Sequence, residues 1–166
     1  MLWFDQGEQV RPGTDRVGRV VGQILPGGDG CGVQAVDVSS ITTPVLDTTL
    51  LVADMAVDVS VDGTQAYVAD SRAGLRILDI TDPARPAELG ARDTMGIGVE
   101  SVTAVARDSF AFLSWRYGHD QFRSVLVSDP SRPLDVASLT VPSRPEDMVL
   151  RDTLVSASRM QPEANP

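Results

Sequence analysis

The residues best suited to recognition chemistry cluster in one stretch, Trp115-Arg116-Tyr117-Gly118-His119-Asp120-Gln121-Phe122. Trp, Arg and Tyr are the side chains that most often anchor interfaces. The bland alternative is a lengthened hairpin whose aromatics pack over their own sheet. His119 is the only histidine, so a histidine-rich zinc site cannot be assembled within the chain. Serine-nucleophile hydrolysis needs a base oriented beside the serine. Only His119 can serve, and no Gly-x-Ser-x-Gly elbow is present. The aspartates Asp54, Asp58, Asp62 and Asp70 offer hard oxygen ligands to calcium, but the twelve-residue loop ending in Glu is absent. Asp62 and Asp82 stand in turns, where Asp caps its own backbone. No catalytic residue, metal ligand or cofactor is expected.

Composition narrows the chemistry further. All fourteen basic residues are Arg, which excludes a Schiff-base lysine and a phosphate-loop lysine. The formal net charge is −9, so a nucleic-acid partner is not expected. Asp outnumbers Glu, as suits a turn-rich β protein. Cys31 is the single cysteine, so no internal disulfide forms. The start Met1-Leu2-Trp3-Phe4-Asp5 has no basic and apolar leader pattern. No run approaches the roughly 18 apolar residues of a membrane span. The glycine-rich segments Pro26-Gly27-Gly28-Asp29-Gly30 and Gly96-Ile97-Gly98 fit neither phosphate-binding fingerprint and read as loops.

The elements that must position these residues repeat. Gly32-Val33-Gln34-Ala35-Val36-Asp37-Val38 returns as Gly74-Leu75-Arg76-Ile77-Leu78-Asp79-Ile80, 42 residues later, and Pro44 falls on Pro86. Alternating, β-branched runs separated by turns at that period are the mark of propeller blades. The clearest unit has Ala56-Val57-Asp58-Val59-Ser60-Val61, the turn Asp62-Gly63, then Gln65-Ala66-Tyr67-Val68-Ala69. A loop 70–74, the strand 75–80, a proline turn and the strand 87–91 complete four strands. A third copy follows, with Asp129-Pro130-Ser131-Arg132-Pro133 matching Asp82-Pro83-Ala84-Arg85-Pro86 at an interval of 47, so part of the aromatic stretch is an insertion. A fourth begins at Pro145 and carries two strands. The expected organisation is a lead-in over 1–31 with a possible strand at 17–25, repeats over 32–158 with breaks near 54, 98 and 144, and a disordered tail over 159–166.

The run Ala66-Tyr67-Val68-Ala69-Asp70, Gly74-Leu75-Arg76-Ile77-Leu78-Asp79-Ile80-Thr81-Asp82-Pro83 and Pro86 resembles the LVIVD-type β-propeller repeat of bacterial surface and secreted proteins. The resemblance covers roughly residues 32–157, with Leu126 replacing the strand aspartate seen at Asp37 and Asp79. Those aspartates are expected to bond backbone amides at a blade's turn. The resemblance implies an extracellular or cell-surface setting and carries no shared activity. It implies that first strands line a channel and that the loops after second strands share a rim, the usual seat of function. Asp54, Ser71, Arg72, Trp115, Arg116, Tyr117, His119, Asp120 and Glu146 fall near that rim.

The expected fold is therefore all-β, a partial β-propeller of about three to four four-stranded antiparallel blades with incomplete first and last blades. The expected function is a non-enzymatic interaction scaffold presenting a loop rim to protein or carbohydrate ligands, as a fragment of a larger surface protein. One alternative is part of a metal-dependent hydrolase or oxidoreductase whose site lies mostly outside this chain; another is a structural spacer. Propellers typically need about 4–8 blades. Truncation explains the shortfall most simply, and a dimer completing six blades through open blade edges is the other route.

Overall fold

The computed structural model describes residues 18–23, 32–37, 40, 42–43, 45–51, 55–82, 84–93, 101–115, 121–141, 147–152 and 154–158. Thirteen strands form four antiparallel sheets, and no α-helix occurs among the described residues. The first sheet is β1 (Gly18–Gln23), β2 (Gly32–Asp37) and β3 (Val45–Leu51). The second is β4 (Ala56–Asp62), β5 (Gln65–Asp70), β6 (Gly74–Asp79) and β7 (Ala87–Arg92). The third repeats it as β8 (Ser101–Arg107), β9 (Phe110–Trp115), β10 (Gln121–Leu126) and β11 (Leu134–Thr140). The last pairs β12 (Asp147–Arg151) with β13 (Leu154–Ser158). The architecture is a partial propeller, as the repeat spacing predicts. The expected tail over 159–166 lies outside the described residues.

Local chemistry dictates these hairpins. The turn between the first two strands of a sheet needs one residue in the left-handed region, and it recurs at Gly63 (φ 60), Asp108 (φ 56) and Asp152 (φ 51). Glycine takes this conformation without steric cost, and Asp is among the few side chains that tolerate it. The turn between third and fourth strands also recurs. Arg85 N–H donates to the Asp82 carbonyl at 2.8 Å, and Arg132 N–H donates to the Asp129 carbonyl at 3.0 Å. The Asp79 carboxylate accepts from the Thr81 amide (2.8 Å) and hydroxyl (2.6 Å), as the recurrence of this aspartate predicts. The side chain of Asp37 lies outside the described residues. Leu126 replaces the strand aspartate in the third sheet; there Asp129 accepts the Ser131 amide at 3.1 Å, as its counterpart Asp82 accepts the Ala84 amide at 3.1 Å, and also accepts the Ser131 hydroxyl at 2.7 Å.

Each sheet has a forward face, turned to the next sheet in chain order, and a rear face. The rear of the second sheet (Ala66, Val68, Leu78, Ile80) closes on Val33 of the first. Its forward face (Tyr67, Ala69, Leu75, Ile77) closes on Ala104, Ala111, Leu113, Val125 and Val127 of the third. Burial on both faces explains why β5 reads as a continuous apolar run rather than an alternation. Gly90 sits at a close approach to the turn of the third sheet, since a Cβ there would lie 2.1 Å from the Pro130 carbonyl oxygen. The inner strands β4, β8 and β12 lie side by side.

Candidate functional site

The end of the stack where β5 and β9 finish positions the described candidates. β5 ends at Asp70, which is fully buried, and a 3-10 turn over Ser71–Ala73 follows. Ser71 (φ 38) and Gly74 (φ 86) both lie in the left-handed region, and Ser71 is buried. Arg72, between them, is exposed. The turn packs on β8 of the neighbouring sheet. β8 pairs with β9 so that Ser101 stands opposite Trp115, at the same end.

Trp115 is the last residue of β9 and is buried, with 4% of its surface exposed. It occupies the position that Asp70 holds one sheet earlier, and the exchange is matched by a conserved geometry around it. Arg76 Nε approaches the Asp70 carboxylate at 3.3 Å, and its guanidinium also meets Glu88 (3.6 Å) and Asp93 (3.4 Å). Its counterpart Arg123 lies 5.1 Å above the Trp115 ring and pairs with Asp135 at 2.9 Å. The same strand position thus carries the same cation, held by a buried carboxylate in one sheet and by an aromatic face in the next. Of the sequence-derived candidates, Arg72 and Trp115 are brought to one end of neighbouring sheets. Asp54, Arg116, Tyr117, His119, Asp120 and Glu146 lie outside the described residues.

Below this rim the inner strands are joined by groups that sequence reasoning did not single out. The Asp58 carboxylate on β4 accepts from the Thr103 hydroxyl at 2.5 Å and the Ala104 amide at 3.0 Å on β8. Burial pushes its carboxyl above the ordinary range, against the lowering effect of its hydrogen bonds, and Asp147 on β12 adds repulsion. At the opposite end, Asp62 accepts the Asp108 amide at 2.6 Å, and Arg107 donates to the Asp152 carbonyl at 2.6 Å. Among the described residues, no group of three or more His, Cys, Asp or Glu side chains is placed to hold a metal ion. The signal for Asp58 and Thr103 was present: they hold the same position of successive inner strands, but differ in type.

The boundaries of the second sheet coincide with those of a known repeat. Residues 53–94 match the LVIVD repeat. The match starts just before β4 and stops just after β7, so one LVIVD repeat is one four-stranded sheet. That repeat family is associated with β-propeller-like folds, in agreement with the stacked sheets here. No curated protein matches the chain. No helix among the described residues is long and apolar enough to cross a membrane.

Proposed function

We propose that this LVIVD-repeat scaffold is a non-enzymatic interaction module whose rim at the Arg72 and Trp115 end recognises a protein or carbohydrate ligand. The carrying observation is the exposed Arg72 on a turn whose flanks, Asp70 and Leu75, are wholly buried. A recognition side chain on so rigid a base loses little further freedom on binding. The setting implied by the repeat is a bacterial cell surface. Self-association through open blade edges is part of the same proposal.

The test is a glycan and protein panel read by biolayer interferometry on the immobilised chain. A bound ligand should lose about tenfold or more in affinity on Arg72→Ala, as expected of an interface anchor. Arg132→Ala, at the opposite end, should leave it unchanged. Loss on Arg132→Ala alone overturns the choice of rim. A stoichiometric metal in the purified protein, found by elemental analysis, overturns the non-enzymatic reading.

A further inference from the structure

Every junction in the stack sets a forward face on a rear face: first sheet on second, second on third, and third on the β12–β13 pair, where Met148 is buried. Two faces have no sheet against them among the described residues. One is the outer half of the third sheet's forward face. Here Phe122 stands opposite Leu139, and Leu126 opposite Leu134. Leu139 is 60% exposed and Leu134 61%, whereas Leu75, at the position of Phe122 in the second sheet, is completely buried. At Leu139's position the second sheet carries Arg92, which stands opposite Leu75 and reaches across its junction to Asp135 at 2.7 Å. The third sheet has no such charge on this surface.

The β12–β13 pair covers only the inner half of the same face. β13 pairs with β12 alone among the described residues, and Leu154 on it is 67% exposed. The result is a recess two strands wide, with an apolar floor on β10 and β11 and an open strand edge along one side. It continues the junction already made by β8 and β12. The second uncovered face is the rear of the first sheet. Leu46 there is 55% exposed and stands opposite Val36, which holds the register position of the buried Leu78. Gln34 and Thr49 share that face through a hydrogen bond of 3.4 Å, and Arg19 holds the register position opposite Val36 on it.

We infer that the occupant of the recess is a second copy of this chain. The rear face of the partner's first sheet seats on the forward face of the third sheet, and a twofold axis repeats the contact at the other end. Head-to-tail contacts of this kind close into a ring when the rotation permits. Forward-on-rear packing is the geometry every other junction uses, and the uncharged outer half of the third sheet's forward face lets a second copy of a chain of net charge −9 approach it without a like charge opposite. This deepens the self-association proposed above by naming its two faces. It rests on the sheet stack and not on the rim, so ligand binding and association fail independently.

Sedimentation velocity and light scattering on the full chain test it. The expected result is a species of twice the 17.7 kDa chain mass, strengthened by salt because the two copies repel at long range. Leu139→Glu and Leu46→Glu should each weaken association about tenfold or more. Both positions are exposed on edge strands, so the thermal midpoint of the monomer should stay near that of the parent. An equimolar mixture of the two variants should recover a dimer weaker than the parent, since one of its two contacts is intact. A parent chain that stays monomeric through the micromolar range overturns the inference. So does a dimer that Leu139→Glu breaks and Leu46→Glu leaves intact, because that result places one face against itself.

Discussion

Asp58 is a carboxylate enclosed between two inner strands, and its chemistry sets a measurable pH signature. Its carboxyl is raised in the folded chain, chiefly by burial, above the 3.8 it has when free. A raised folded value means that protonation favours the fold. The stabilisation is complete below 3.8 and is lost as the pH rises through the folded value. Asn keeps the shape and cannot titrate, so the parent should gain stability relative to Asp58→Asn as the pH falls from neutral toward 4, measured by urea denaturation. The opposite trend would reverse the assigned sign. Asp79 behaves in the contrary sense. The Thr81 hydroxyl and amide hold its carboxyl below the ordinary range, so its contribution is present above 3.8 and is lost as the pH falls through the lowered value. The two groups oppose one another in the acid limb, and the Asp58→Asn comparison isolates one of them. None of this was legible as letters. Asp58 read as a strand residue and one of four aspartates with oxygen ligands to offer, and only its position beside Thr103 gives it work to do.

Two arginines of the second sheet illustrate the element scale. Arg76 ties β5, β6 and β7 of one sheet together through Asp70, Glu88 and Asp93. Asp70 is fully buried, so removing Arg76 takes a compensating positive charge from beside a carboxylate inside the protein. Arg76→Ala should cost roughly 3 kcal/mol. Arg92 and Asp135 are each about one-third exposed, and Asp135 keeps Arg123, so Arg92→Ala should cost about 1 kcal/mol or less. Equal costs in denaturant melts would count against the buried carboxylate as the cause. Gly90 makes a sharper case. A methyl group there meets the Pro130 carbonyl at 2.1 Å, a backbone atom of another sheet that cannot swing away. Gly90→Ala should destabilise by about 1–3 kcal/mol, read as a lowered urea midpoint, and no loss would mean that the sheets separate easily. The strands themselves were readable in advance, because alternation and turn residues are local properties. The clasps were not. Asp62 accepts an amide where Arg107 donates to a carbonyl, so one structural task is done by opposite chemistries and leaves no repeating letter.

Across the whole molecule, protection is graded from the inside outward. β5 and β6 are buried on both faces, while every residue of β11 is exposed. Amide hydrogen exchange should therefore be slowest in β5 and β6 and fastest along β11. Association through the third sheet would slow β10 and β11 as concentration rises. The partial propeller was legible because its period of 42 residues is written in apolar and turn positions. The interfaces were less so. The aromatic stretch around Trp115 drew attention as a loop, yet Trp115 closes a strand and lies under Arg123. Sequence shows which residues are large and amphipathic; which way they turn depends on the strand pairing that brings a partner such as Arg123 over the ring.

The Asp58 junction also limits how such a chain can grow. Copying residues 55–93 in tandem preserves every hairpin and both proline turns, yet it sets a second Asp58 where the Thr103 hydroxyl now donates. Two carboxylates would then share one dry contact, with the hydroxyl donor between them lost. Blades of this chain are therefore not interchangeable bricks. A viable duplication, natural or designed, has to copy the second and third sheets together, so that each acidic inner strand is followed by a hydroxyl-bearing one.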